Sequence, residues 1–216
     1  MSFSAQEVGK LREITGAGLM DCKKALVATN GDIDKAIAHL REQGIVSAAK
    51  KAGRVASEGA VCSYIHMGGK LGVLVELNCE TDFVAKNAEF LELGKDIAMH
   101  IAAYSPLYVS QDEVPSKDIE SEREIYKAKA LAEGKPSAVA EKIVESGIKK
   151  YFSEICLLNQ GFVKDTNITV QQHINNKIVT IGEKITVRRF VKFIMGEGLE
   201  KKVEANLAEE VAKLQK

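Results

Sequence analysis

The sequence has few aromatics, no long apolar run and no excess of either charge, and each shortage narrows what the chain can be. Its 216 residues are 6% aromatic, 45% hydrophobic and 28% charged, far from the compositions of disordered or membrane-inserted chains. That length suits one or two domains with a real core. Thirty basic residues balance thirty acidic ones, so no global field draws the chain to nucleic acid. No apolar run approaches the roughly 20 residues a bilayer-spanning helix needs. The stretch from Met1 to Glu7 lacks a basic region followed by an apolar one, and it is acidic too early for a transit peptide. A cytoplasmic location, with no membrane partner, is the expectation.

Reactive constellations are also scarce. The cysteines Cys22, Cys62, Cys79 and Cys156 are widely spaced, with no CxxC pair, and read as reduced thiols. Cys62 and His66 share a face of one strand, a weak metal signal. His39, His66, His100 and His173 form no HxxxH or triad-like group. "EGKP" at 133–136 has proline where a phosphate loop needs Ser or Thr, and Lys129 where the first glycine belongs. "GEGLEK" starts like a dinucleotide fingerprint but ends in Lys201, too late in the chain for a βαβ unit. The carboxylates of "IESERE" fit a solvated helix. No enzyme active site, metal site or cofactor is expected, and the chain reads as one that acts by binding.

What is present is an α+β pattern. Ser4-x-x-Glu7 is a capping box, followed by Val8, Leu11 and Ile14 at helical spacing. After Gly16-Ala17-Gly18, a second face carries Leu19, Cys22, Ala25 and Leu26 and ends at Asn30-Gly31. Asp32 caps a third helix with Ile33, Ala36, Ile37 and Leu40 inward, closed by Gly44. Residues 1–44 are thus a three-helix bundle, either a docking module or a set of helices packed on the rest. Residues 45–58, "IVSAAKKAGRVASE", form a basic connector, and a core domain over 59–198 follows.

Within the core, Gly68-Gly69 is a two-residue hairpin turn between "AVCSYIHM" and "KLGVLVELN". Pairing Met67 with Lys70 sets Tyr64 opposite Val73 and Cys62 opposite Val75, and keeps Cys62 away from Cys79. Tyr64, Cys62, Leu71, Val73, Val75 and Leu77 then share one face. The helix from about Asn87 to Ala103, striped by Phe90, Leu93, Ile97 and Ile101, should cover it. A helical hairpin follows over about 117–158. Its first arm is charged, with a narrow seam at Ile125, Ala128 and Ala132. Its second repeats Ala140, Val144, Ile148, Tyr151, Ile155 and Leu158 near heptad spacing. "TVQQHINNKIVTIG" reads as a helix and "KITVRRFVKFIM" as a third strand. Simple alternation there puts Ile185, Val187, Val191 and Phe193 on one face and Phe190 and Ile194 on the other, so both faces want cover. A final amphipathic helix spans 199–216.

One short stretch stands apart. In "NCETDFVAKN", residues 78–87, Phe83 sits on a polar corner between strand and helix. From the residues alone, Asp82 could cap the turn and Phe83 could fold back beside Phe90, or the ring could stand out for a partner.

This stretch and "TGAGLMDCKKALVATNGDIDKAIAHLR" closely resemble the bacterial elongation factor Ts family. "KAGRVASEG", "EKIVESGIKKYFSEICLLNQGFVKD" and "RRFVKFIMGEGLEKK" extend the likeness over essentially the whole chain. The resemblance implies nucleotide exchange on the GDP form of elongation factor Tu in translation elongation, with no covalent chemistry. It implies a ubiquitin-associated-like bundle that docks on the GTPase, a three-stranded antiparallel sheet packed with helices, and a projecting hairpin. Thr81, Asp82, Phe83 and Val84 would be the segment that dislodges magnesium. Long members of the family carry two core subdomains and this chain has material for one. It therefore resembles a short form, for which a homodimer and a 2:2 complex are expected. Two other readings remain: a docking protein built on the bundle, and an RNA binder using Lys50, Lys51, Arg54, Arg188, Arg189 and Lys192.

Overall fold

The computed structural model describes residues 4–199. From Glu200 onward, the helix expected over 199–216 lies outside the described residues. Helices α1 (Ala5–Thr15), α2 (Leu19–Ala28) and α3 (Ile33–Lys51) come first. Ser4 Oγ accepts from the Glu7 N–H, and Glu7 Oε2 accepts from the Ser4 N–H at 2.8 Å. The capping box thereby satisfies donors that a helix start leaves open. Asn30 (φ 52°) and Gly31 (φ 84°) form the left-handed turn after α2, and Asp32 caps α3. Val8, Leu11, Cys22, Ala25, Leu26 and Ala36 build a separate core.

Ile14 and Leu19, expected inward, are exposed. Both occupy helix ends at the Gly16–Gly18 break. Helical spacing says which face a residue takes, not how far along it the covering neighbour reaches. Nor does α3 stop at Gly44. It runs on to Lys51, and Gly44 is buried against α8 (Val170–Ile181). A Cβ there would lie 3.5 Å from Asn176 Oδ1 and 3.8 Å from Val179 Cγ2. The glycine reads as a stop in sequence because it weakens a helix, whereas here it marks the close approach of two helices.

Strands β1 (Glu58–His66) and β2 (Leu71–Cys79) pair in the expected register, with Tyr64 opposite Val73 and Cys62 opposite Val75. The turn closes with the Lys70 N–H donating to the Met67 carbonyl, and Gly68 and Gly69 take φ of 64° and 93°. After the one-turn helix α4 (Asp82–Ala85) comes α5 (Ala88–Tyr104), capped by Asn87. Phe90, Leu93, Ile97 and Ile101 of α5 are fully buried over Val73, Val75 and Leu77. Gly94 lets α5 settle onto β1, since a Cβ there would meet Cys62 Sγ at 2.2 Å.

Helices α6 (Ser116–Ala132) and α7 (Ser137–Ile155) pack on each other, and none of their residues belongs to the main core. Their seam differs from expectation. Ile125, Ala128 and Ala132 are exposed, while Tyr126 and Ala130 face α7. The Tyr126 ring lies over Gly147, where an added Cβ would come within 2.7 Å of it. Polarity pattern favoured the aliphatics, but ring-on-glycine fit decided the interface. Ala140, Val144 and Ile148 are buried as expected.

A two-stranded ribbon, β3 (Gly161–Phe162) with β4 (Asp165–Thr169), precedes α8, which starts at a Thr169–Gln172 capping box. Strand β5 (Thr186–Ile194) then completes a three-stranded antiparallel sheet in the order β1-β2-β5. Simple alternation fails along β5. Leu77 pairs with Val187 but Glu76 pairs with Arg189, so Arg188 is an inserted residue that shifts the phase. Ile185, Val187 and Phe190 therefore join the core side, while Val191 and Phe193 turn to the open face beside Leu74 and Gly72.

Two histidines, the buried His100 and the half-buried His173, make stability pH-dependent. Val163 donates its N–H to His100 Nδ1 at 3.1 Å, so Nε2 carries the ring proton, donated to Gln160 Oε1 at 3.0 Å. His173 stacks on Phe162 with ring centroids 4.1 Å apart. Burial pushes both imidazoles below the usual histidine range. The folded state thus binds fewer protons than the unfolded one, and stability falls as pH drops through about 6.5, where free histidines protonate. Thermal midpoints should fall from pH 7 to pH 5, and the His100→Gln, His173→Gln double variant should lose most of that slope.

Candidate functional site

The corner after β2 is built in layers. Cys79 is the last strand residue, and its Sγ donates to the Thr81 carbonyl at 3.2 Å. Burial, with Glu183 nearby adding to the effect, pushes this thiol up to about 11, which keeps it a protonated donor. Thr81 is the N-cap of α4, accepting from the Val84 N–H at 3.4 Å. Asp82 does not cap the turn. It is the first helical residue, and its carboxylate accepts from Lys86 Nζ at 2.9 Å. The hydrogen bond to Lys86 holds the Asp82 carboxyl below its ordinary range, and the Lys86 ammonium is raised in return. As an exposed pair on one helical turn it steadies α4 only modestly.

Successive residues of the turn face opposite ways. Val84 and Ala85 pack against the main core. Phe83 is 83% exposed and does not fold back onto Phe90, which is itself fully buried. Phe83 is thus a large aromatic held in water beside two half-buried residues that anchor its turn to the core.

Beneath the corner lies a network that sequence reading missed. Glu183 Oε2 accepts from the N–H groups of both Glu80 and Thr81 at 3.0 Å, and its Oε1 accepts from the Thr81 hydroxyl at 2.7 Å. In the other direction, Glu80 Oε1 accepts from the Lys184 N–H at 2.6 Å. That bond, with the Arg54 guanidinium 3.2 Å away, holds the Glu80 carboxyl low. Lys184 Nζ donates to the Ala52 and Arg54 carbonyls at 2.7 and 2.9 Å. The signal was register: extending the β2–β5 ladder beyond Asn78 opposite Thr186 sets residues 80 and 81 opposite 184 and 183.

The basic residues considered for RNA are largely engaged within the protein. Arg188 and Arg189 both reach Glu76, at 2.8 and 2.7 Å. Arg54 pairs with Glu80, Lys51 Nζ donates to Ser47 Oγ at 2.7 Å, and Lys192 bonds Ser105. Lys50 stands exposed. Among the described residues no group of three or more His, Cys, Asp or Glu is placed to hold a metal ion, and no helix is long and apolar enough to cross a membrane. A cleft of about 1030 Å³ is lined by residues of α1, α2, α3, α8 and the ribbon, and none of Thr81, Asp82, Phe83 or Val84 lines it.

Comparison with known proteins gives a consistent result. A family model described as elongation factor TS matches residues 7–197. The chain is 60% identical over 212 residues to elongation factor Ts of Geobacter sulfurreducens, covering 98% of each chain. It is 59% identical over 210 residues to that of Acetivibrio thermocellus, covering 97% of each, and 58% identical over 212 residues to that of Desulforamulus reducens, covering 98% of each.

Proposed function

The chain belongs to the elongation factor Ts family, and from that premise we propose that it is a guanine-nucleotide exchange factor for elongation factor Tu in translation elongation. It acts on the GDP form without covalent chemistry or a cofactor of its own. Thr81, Asp82, Phe83 and Val84 are the segment that dislodges magnesium. The observation that carries this reading is the exposure of Phe83 on a turn whose backbone is capped and pinned.

The physics is that of a wedge. Magnesium and main-chain donors hold a bound GDP by charge and by geometry. An exchange factor has only to favour a partner conformation in which that geometry is poor. Burying one benzyl group in a crevice of the GTPase is worth roughly 1.5–3 kcal/mol, similar to the typical 1–3 kcal/mol of coupling between sites. By reciprocity, bound nucleotide weakens binding of the factor by the same amount, so rebinding of GTP releases it.

Two further surfaces support the reading. Residues 4–44 have a core of their own and present Leu19, Met20 and Val27 outward on α2, as a ubiquitin-associated-like module docking on the GTPase would. The open face of the sheet carries Val61, Ile65, Leu74, Val191 and Phe193, all exposed. A second copy of the chain would cover it, giving a homodimer and a 2:2 complex. Adding the protein to elongation factor Tu loaded with a fluorescent GDP should accelerate GDP release in proportion to its concentration until saturation. Binding with no acceleration would instead support a docking protein, for which the separate core of the bundle is the favouring observation.

A further inference from the structure

We propose that Glu183, a hundred residues away in sequence, is a positioning residue for exchange: it holds the backbone and the cap of the turn that aims Phe83. This inference rests on the exchange reading above and extends it to a residue outside the Thr81–Val84 segment.

The need for such a residue follows from the size of α4. Four residues make one helical turn, which is unstable in isolation because nucleation is costly. Phe83 has almost no packing of its own, being 83% exposed, so the backbone sets where the ring projects from and which rotamers it can reach. That backbone is fixed on one side by Val84 and Ala85 against the core. On the other side it is fixed by Glu183, which takes the Glu80 and Thr81 N–H groups on one oxygen and the Thr81 hydroxyl on the other.

The hydroxyl contact matters most. A threonine hydroxyl has one hydrogen to give and lone pairs to receive. With its hydrogen committed to Glu183 Oε1 at 2.7 Å, Thr81 Oγ1 turns a lone pair to the Val84 N–H and caps the turn. Glu183 thus selects the hydroxyl rotamer that makes Thr81 an N-cap. Glu183 is itself held. It follows Gly182, whose φ of 88° ends α8, and its neighbour Lys184 is tied through its N–H to Glu80 and through Nζ to the Ala52 and Arg54 carbonyls. The crossed pair, Glu183 on the Thr81 side and Glu80 on the Lys184 side, locks the strand end to the α8–β5 turn.

The experiment compares wild type, Glu183→Ala, Glu183→Asp and Glu183→Gln in two assays. The first is release of fluorescent GDP from elongation factor Tu as a function of factor concentration. The second is amide hydrogen exchange at Glu80, Thr81 and Val84 in the factor alone. Glu183→Ala should lower the saturating release rate roughly fivefold, the effect of losing about one net hydrogen bond's worth of ordering, with a half-saturating concentration within about twofold of wild type. Its three amides should lose protection. Glu183→Gln should fall between wild type and Glu183→Ala in both readouts, because its carbonyl oxygen can still accept both amides while its NH₂ can only donate to Thr81 Oγ1 and no longer takes the hydroxyl hydrogen. Glu183→Asp, too short to reach all three donors, should shift both readouts in the alanine direction and serves if the alanine variant does not fold. A wild-type saturating rate in Glu183→Ala or Glu183→Asp overturns the proposal, as does equal loss in Glu183→Gln or unchanged amide protection. If wild type itself gave no acceleration, the exchange reading would fail, while the amide protection would still judge the clamp.

Discussion

Replacing Phe83 by alanine should cut the saturating rate of GDP release from elongation factor Tu by about 10- to 150-fold, the rate equivalent of roughly 1.5–3 kcal/mol of ring burial. The variant should melt at the wild-type temperature. The two halves of that result separate a wedge from a structural residue. Phe83 contributes almost nothing to the protein's own packing, since 83% of it faces solvent, so removing the ring leaves no cavity behind. Its value is realised only inside the partner. Binding of the variant should persist through the remaining contacts, and a competition titration can measure it. Stopped-flow release with wild type and Phe83→Ala decides the matter. Equal acceleration would mean that the ring is a bystander and that the family segment acts through its backbone or through Asp82. A lowered melting temperature would mean that the ring has a packing partner at home.

The second large effect concerns the open face of the sheet. Leu74 sits on the central strand, beside Gly72, with Val191 and Phe193 on one flank and Val61 and Ile65 on the other. Contiguous exposed apolar surface of this kind is uncommon on monomers, and two sheets packed face to face would remove it from water. In a two-fold dimer each residue of the patch is present twice, so a single substitution acts twice. Leu74→Asp, and separately Phe193→Asp, would place two unpartnered carboxylates in the joint and raise the dimer dissociation constant by at least about a thousandfold. Neither position belongs to the core on the other face of the sheet, so the monomer should still fold. Sedimentation velocity at micromolar concentration should find wild type as a dimer and the variants as monomers. Wild type sedimenting as a monomer at nanomolar concentration with full exchange activity would remove the dimer from the mechanism.

How much of this was legible depended on distance along the chain. The hairpin register was readable because a glycine pair between two alternating runs leaves one pairing that gathers the apolar residues on one face. The cover by α5 was readable because Phe90, Leu93, Ile97 and Ile101 form one stripe. Gly44 and Gly147 were not readable. Each is a small residue whose meaning depends on a partner elsewhere, α8 for the first and the Tyr126 ring for the second. The two faces of β5 were misassigned for a related reason: a single inserted residue, Arg188, reverses the alternation, and nothing local announces a bulge.

The sequence by itself determined the α+β composition, most of the helix and strand boundaries among the described residues, the family, and the identity of the corner that bears Phe83. The composition and the boundaries follow from short-range rules of capping, periodicity and turn chemistry, in which a residue and its neighbours contain the whole argument, whereas the family and the choice of corner rest on the resemblance of whole motifs. Only the tertiary structure decided which way that corner points and what holds it there. Glu183 meets Thr81 because β5 lies beside β2, and the energy that places β5 there comes from burying Val187 and Phe190 against the common core. Contacts between residues a hundred positions apart are set by that burial, and no local pattern encodes them.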